Sequence, residues 1–267
     1  MKQKSGKVFF VGAGPGDPRL ITVKGADVLK GADVIIYDRL VNDELLRYAK
    51  DGAELIYCGK DPNAPSISQE EIHHLFISQA QKGKVVVRLK GGDPAVFGRV
   101  GEEATSCIDY DIPYEIVPGV TAGVAAPAYA GIPLTHRDLG SSFAVVTGQQ
   151  RSDGKKSSVQ WEKLATSVDT LVFYMGMKNI SYIQEQLIKH GRSLTTPVAV
   201  IQWGTYQKQE TIVAPLHEIT TRVEEAGFAS PSIIVVGDVV NLHESLSWFE
   251  NNPGVGKEAE RVQVVYA

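Results

Sequence analysis

The chain has 267 residues, 43% of them hydrophobic, enough to bury a sizeable core in one large or two small domains. The formal net charge of −4, from 27 Lys+Arg against 31 Asp+Glu, argues against non-specific nucleic-acid binding, though local arginines can still hold a small anion. Only two cysteines occur, Cys58 and Cys107, far apart, which excludes a paired metal-ligand cluster and a disulfide framework and fits a reduced cytoplasmic setting. No apolar run has the length to span a membrane, and the polar start at Met1–Lys7 carries no signal-peptide pattern. Nucleic acid and membrane are therefore not expected as partners.

The first half alternates short apolar runs with helix-like segments. Val8 to Val11 reads as a strand that ends in Gly12-Ala13-Gly14-Pro15-Gly16-Asp17, and a helix follows over Thr22–Lys30. Val34–Tyr37 is the second strand, Asp43–Ala49 an amphipathic stretch and Leu55–Cys58 the third strand. Ser68 and Glu71 make an S-x-x-E capping box that opens a helix to about Gln81. Lys84–Leu89 is the fourth strand, followed by the loop Lys90-Gly91-Gly92-Asp93-Pro94, a helix over Val100–Asp109 and a fifth strand, Tyr114–Val117. Regular alternation of this kind predicts a parallel sheet with right-handed crossovers.

Ile132–Ser142, with a proline, several polar residues and Gly140, reads as a linker. Apolar strands resume at Phe143–Thr147, Thr170–Tyr174, Pro197–Gln202 and Ile233–Val236. A Thr/Gln-rich piece, Thr205–Val213, reads as a hairpin and so implies a mixed sheet. Helices are expected at Ile180–His190, with Gly191 as its C-cap, and at Leu216–Ala226. The expectation is an α/β protein of two α/β domains: residues 1–134 on a mainly parallel sheet, and 135–250 on a mixed sheet. The polar stretch 251–267 is a candidate for disorder.

Strand, G-x-G, helix invites a dinucleotide reading, and Asp38 stands where a ribose-binding carboxylate is expected. Two details oppose it. The third fingerprint glycine falls on Asp17, whose charge repels a diphosphate, and prolines at 15 and 18 each remove an amide donor. A tight turn needing glycine only for backbone conformation explains the loop equally well.

The loop at Gly91-Gly92-Asp93 and a third, Pro118-Gly119-Val120-Thr121-Ala122, also follow strand ends, where open parallel sheets bind ligands. Glycines admit a ligand close to the backbone, and a carboxylate there suits a cationic or hydroxyl-bearing ligand such as S-adenosylmethionine. Taken one at a time, a structural turn is as good an account of each loop as a binding role.

Several segments together resemble a known family. They are VGAGPGDPRLITVKGADVLKGADVIIYDRLV, RLKGGDPAVFGRVGEE, VPGVTAG, GIPLTHRD, FYMGMKN (Phe173–Asn179) and SPSIIVVGDVV (Ser230–Val240). Across roughly Lys7–Leu246 the chain resembles the uroporphyrinogen-III C-methyltransferases of the tetrapyrrole methylase group. GAGPGD with GGDP marks the group, while YDRLV and PLTHRD favour this member. The resemblance implies an active site in the cleft between the two domains, with the second domain completing the cofactor site, and a homodimer that transfers two methyl groups from S-adenosylmethionine, without a metal, to C2 and C7 of uroporphyrinogen III. Precorrin-2, for sirohaem or cobalamin synthesis, and S-adenosylhomocysteine would be the products. It implies cofactor contacts from Pro15, Gly91, Gly92, Asp93, Val96, Thr121, Ala122, Met175, Gly204 and Ser232, with Asp38 as proton acceptor and Lys60 as proton donor. Relatives often show T-G-H where this chain has Thr147-Gly148-Gln149. Some relatives also carry a fused dehydrogenase–chelatase or synthase domain, so methylation alone is expected here.

The substrate carries acetate and propionate groups on every ring, and a net-negative protein must hold it with local cations. Arg39, Lys60, Arg99 and Arg137 stand beside strand-end loops or in the linker and are the candidates. Each has a bland alternative: exposed surface charges contribute about 0–1 kcal/mol, and a lone Met such as Met175 is more often core than contact. The competing functions are another methylase of the group acting on a later corrin precursor or a modified protein histidine, a nicotinamide-dependent oxidoreductase, and a nucleotide-sensing module without chemistry.

Overall fold

A computed structural model describes residues 5–59, 67–149 and 159–250. Lys60 and the stretch 251–267 lie outside the described residues. The chain divides into two compact units, Met1–Ala122 and Gly123–Ala267.

The first unit is built on β1 (Lys7–Gly12), β2 (Val34–Tyr37), β3 (Glu54–Tyr57), β4 (Val85–Lys90) and β5 (Tyr114–Val117), paired in the order β3-β2-β4-β1-β5. Every pairing among them is parallel, as the alternation predicts. The helices are α1 (Val23–Gly31), α2 (Gln69–Gln81) and α3 (Val100–Asp109), with a 3-10 helix at Asp43–Tyr48 in place of the amphipathic stretch. Handedness explains which face each covers. The connections β1→β2 and β2→β3 run towards one edge of the sheet, and β3→β4 and β4→β5 run towards the other. Right-handed crossovers therefore put α1 and the 3-10 helix on one face and α2 and α3 on the opposite one. Leu29 and Leu45 accordingly pack with Val11, Val87 and Leu89, while Ile72, Phe76, Val100 and Ala104 pack with Val8, Phe10 and Val86. The capping box closes in both directions: Glu71 N donates to Ser68 Oγ at 3.2 Å and Ser68 N donates to Glu71 Oε2 at 2.6 Å.

The second unit opens with α4 (Ala122–Tyr129), whose first residue closes the first unit. It continues with β6 (Phe143–Thr147), α5 (Trp161–Ser167), β7 (Thr170–Tyr174), α6 (Ile180–Lys189), β8 (Pro197–Gln202), β9 (Glu210–Pro215), α7 (Ile219–Glu225) and β10 (Ser232–Val236). The strands pair in the order β6-β7-β10-β8-β9. Only β6 and β7 run parallel, so the sheet is mixed as expected. Its hairpin joins β8 to β9, and residues 203–209 form the connecting loop rather than an arm. Gly191 ends α6 at φ +96°, the left-handed backbone expected of a helix C-cap. Phe173, Leu171, Val200 and Ile234 carry the core, against Trp161, Leu187 and Ile219 from the helices.

The division after Ala122 falls ahead of the boundary expected at residue 134 because α4 packs within the second unit. Gly123 lies against the Tyr174 ring, Ala126 fills the space beside Gly204, and Trp248 Nε1 donates to Ala128 O at 2.9 Å. The sequence marks Thr121 as a cap but shows no amphipathic period over AGVAAPAY, since this helix is apolar on nearly all sides.

At the strand ends of the first unit the backbone is packed too closely for a side chain. A Cβ on Gly12 would lie 2.6 Å from Gly119 Cα and 2.7 Å from Gly92 O, whereas one on Gly101 in α3 would meet nothing within 4 Å. Gly12→Ala should destabilise the protein by about 1–3 kcal/mol. Gly101→Ala should be neutral or add up to about 1 kcal/mol by helix propensity. Urea midpoints of the two variants check this; equal midpoints would mean that the loops separate freely.

Candidate active site

The loops after β1, β4 and β5, three adjacent strands, converge at the carboxyl edge of the first sheet. Gly14 and Gly92, both at positive φ (+80° and +69°), bridge the first two loops. Gly92 N donates to Gly14 O at 2.7 Å, and Gly14 N donates to Gly92 O at 3.2 Å. Asp93 ties the second loop to the third: its Oδ2 accepts from Gly119 N at 2.9 Å and its Oδ1 from Ala95 N at 2.7 Å. Gly92 faces Thr121 and Ala122, and Gly91 faces Leu40 in the loop after β2. Pro15, Gly91, Gly92, Asp93, Val96, Thr121 and Ala122 thus share one edge of one unit, with Asp38 at the end of β2 beside them.

In the second unit, Met175 follows β7, Gly204 follows β8 and Ser232 opens β10. Antiparallel pairing of β10 with both neighbours puts all three at one end of that sheet. Met175 holds φ +55° and is 46% exposed, which removes the core reading open to a lone methionine.

The loop 12–17 also corrects the sequence argument against a diphosphate. Asp17 is not a free charge: both its oxygens engage the Arg19 guanidinium, at 3.1 and 2.9 Å, and Oδ1 accepts from Arg19 N. What opposes a diphosphate is backbone bonding. Ala13 N donates to Lys90 O, Gly14 N to Gly92 O, and Pro15 has no N–H to offer.

Asp38 heads a buried charge cluster that the sequence reading missed. Arg88 Nη2 donates to Asp38 Oδ1 at 2.5 Å, and Arg88 Nε to Glu103 Oε1 at 3.2 Å. Lys90 Nζ donates to both Glu103 oxygens, at 2.9 and 2.8 Å. The side chains of Arg88, Lys90 and Glu103 are 3%, 6% and 0% exposed, against 32% for Asp38. Burial works against charge on Arg88, but the carboxylates of Asp38 and Glu103 more than offset it and hold the guanidinium above its ordinary range. Burial first, and the neighbouring Arg88 cation second, pull Lys90 below the usual lysine range. Cys58, whose thiol donates to Tyr37 O and Asp38 Oδ1, is pushed by burial up to about 12 and stays a neutral thiol. The signal was present in the strand itself: Arg88 and Lys90 alternate inwards on a central parallel strand that is otherwise apolar.

The cations proposed for a substrate differ in availability. Arg39 and Arg137 are exposed. Arg99 caps α3 in the left-handed region (φ +59°), bonds both Glu102 oxygens at 2.9 and 2.5 Å, and donates to Gln69 Oε1 at 3.3 Å. Among the described residues no group of three or more His, Cys, Asp or Glu could hold a metal, and no helix is long and apolar enough to cross a membrane.

Residues 7–220 match the Tetrapyrrole (Corrin/Porphyrin) Methylases. The chain belongs to the tetrapyrrole methylase family. A Bacillus subtilis (strain 168) protein named uroporphyrinogen-III C-methyltransferase is 52% identical over 92% of this chain and 95% of its own length. A second protein of that name from the same strain is 54% identical over 96% of this chain, which spans only 53% of it. Among solved structures, the uroporphyrin-III C-methyl transferase of Thermus thermophilus complexed with S-adenyl homocysteine is 37% identical. It aligns with a TM-score of 0.75 over 89% of this chain and 94% of its own. Within this tetrapyrrole methylase, the resemblance first carried by the glycine-bearing loops holds across both units.

Asp93 latches two loops of the methylase as well as standing at its strand end. Asp93→Ala should lower stability by about 1–3 kcal/mol through the two lost amide bonds and also weaken S-adenosylhomocysteine binding. Thermal unfolding with calorimetry checks both, and unchanged stability and affinity together would remove the residue from the site.

Proposed function

We propose that this chain is an S-adenosylmethionine-dependent C-methyltransferase that methylates uroporphyrinogen III at C2 and C7 to give precorrin-2. The identity to a protein of that printed name across nearly both whole chains carries the reading, and the relative complexed with S-adenyl homocysteine supports the cofactor.

The first unit's strand ends fit such a ligand. A Cβ on Gly92 would meet nothing nearer than Ala122 N at 3.8 Å, so the loop leaves open space beside the backbone. Asp93 spends two of its roughly four acceptor positions on amides and keeps the others for a ribose diol or an ammonium. Pro15, Gly91, Gly92, Asp93, Val96, Thr121, Ala122, Met175, Gly204 and Ser232 are proposed as cofactor contacts. When bound, the cofactor supplies an electrophilic methyl group on a sulfonium.

The residues then have to align an electron-rich pyrrole carbon with that methyl; alignment of this kind contributes up to about 7–11 kcal/mol in ideal cases. Asp38 takes the proton that the cationic methylated intermediate must lose. Its Oδ1 is anchored by Arg88 and Cys58, and among the described residues Oδ2 carries no hydrogen bond, which leaves it to act as the base. General-base assistance is worth about 10²–10⁴-fold. Lys60 is proposed as proton donor. Arg39 and Arg137 are proposed to grip substrate carboxylates, whereas Arg99 has to leave Glu102 to do so. A homodimer in the cytoplasm completes the reading, in keeping with two buried free thiols, Cys58 and Cys107.

Calorimetry should show S-adenosylmethionine binding and no NAD binding. Mass spectrometry should show a tetrapyrrole product with two added methyl groups. NAD binding alone, or a singly methylated end product, overturns the proposal. Arg39→Ala and Arg137→Ala should each lower kcat/KM for the tetrapyrrole tenfold or more, the scale of one charge-assisted contact of about 1.5–3 kcal/mol, with cofactor affinity unchanged. Wild-type kcat/KM in both variants would place the substrate carboxylates elsewhere.

A further inference from the structure

Arg88 occupies a costly position. A guanidinium 3% exposed on the inner face of a central strand adds nothing to packing that a methionine would not, and well-packed apolar replacements of buried ion groups are often neutral or stabilising. Its three nitrogens bond three different sets of partners. Nε goes back to Glu103 on α3, itself held by both Lys90 contacts and by Gln69 Nε2 at 3.3 Å. Nη1 reaches the backbone carbonyls of Ile36 and Leu89 at 3.4 and 3.3 Å. Nη2 goes forward to one oxygen of Asp38 at the solvent-reaching end of β2. A planar guanidinium bonded at all three nitrogens has no rotational freedom left, so the direction of Nη2, and with it the Asp38 carboxylate, is fixed from inside the fold.

We propose that Arg88, braced by Glu103 and Lys90, is a positioning residue for the methyl-transfer reaction: it fixes Asp38 through Oδ1 so that Oδ2 is presented to the proton it removes. The inference rests on the reading of Asp38 as proton acceptor. Lysine cannot replace Arg88, since a single ammonium cannot span Glu103, two carbonyls and Asp38 at once. Of the four charged groups, two are cations and two anions, so removing Arg88 and neutralising Glu103 together leaves Lys90 and Asp38 still balanced.

The test measures single-turnover methyl transfer to uroporphyrinogen III at saturating S-adenosylmethionine, alongside tetrapyrrole KM and S-adenosylhomocysteine affinity by calorimetry. The variants are Asp38→Asn, Arg88→Lys, the charge-balanced pair Arg88→Met with Glu103→Gln, and the pair combined with Asp38→Asn. The pair should slow transfer tenfold or more, with KM and S-adenosylhomocysteine affinity within threefold of wild type. Arg88→Lys should fall between the pair and wild type. Adding the pair to Asp38→Asn should slow transfer no more than about twofold beyond Asp38→Asn alone, because both changes act through one carboxylate. Losses that instead multiply, or a pair with the wild-type rate, overturn the role of Arg88 while leaving Asp38 in place. If Asp38→Asn alone transfers at the wild-type rate, it is the reading of Asp38 that fails. Should the pair not fold, Arg88→Lys with and without Asp38→Asn decides by the same comparison of rates.

Discussion

Two cations on the inner face of a central strand oblige two anions to come to them. Arg88 and Lys90 follow Val86 on the side of β4 that α2 and α3 cover, so the apolar layer turns charged over its last residues. Ionised groups out of water persist only when paired and hydrogen-bonded. Glu103 therefore sits on the helix face beside Val100 and Ala104, and Asp38 closes the group from β2. This requirement sets the register of α3 against the sheet. It also decides which end of the sheet is polar, and that is the end where the glycine-bearing loops meet.

The loops themselves are ordered chiefly by one another. Gly14 and Gly92 exchange two backbone bonds, Asp93 spans to Gly119, and Gly12 and Gly119 approach too closely for any Cβ. A turn-only account of each loop is correct as far as it goes, since every glycine there answers a local demand. The ligand reading comes from their sum: several loops fastened together at strand ends, with acceptor positions left over on Asp93. That balance suits a ligand bearing hydroxyls and positive charge better than a diphosphate, and it agrees with family membership.

Much of this was legible in the residues. Strand β5 and helix α3 fall where apolar period and turn residues put them, and the capping box at Ser68 and Glu71 closes as its spacing requires. Both sheets, parallel and mixed, follow from the alternation and from the Thr/Gln-rich hairpin. Helix α4 was not legible, because a segment apolar on all sides has no period to read, and its Pro127 argues against a helix. The Asp17–Arg19 pairing escaped because short-range ion pairs depend on the turn between them. The Arg88–Glu103–Lys90 group escaped for a different reason. Its members are 2 to 15 residues apart on two elements, and charged residues read one at a time look like surface.

The balance of charge inside the first unit has a bearing on how this sequence can drift. Four ionised groups that sum to zero tolerate replacement as a set, even by apolar residues, but any single change strands a partner without water. A lineage moving away from this arrangement would have to pass through a form weakened by several kcal/mol, a large part of the stability of an ordinary domain. The quartet is thus a kinetic trap in sequence space, retained for want of a first step as much as for what it does.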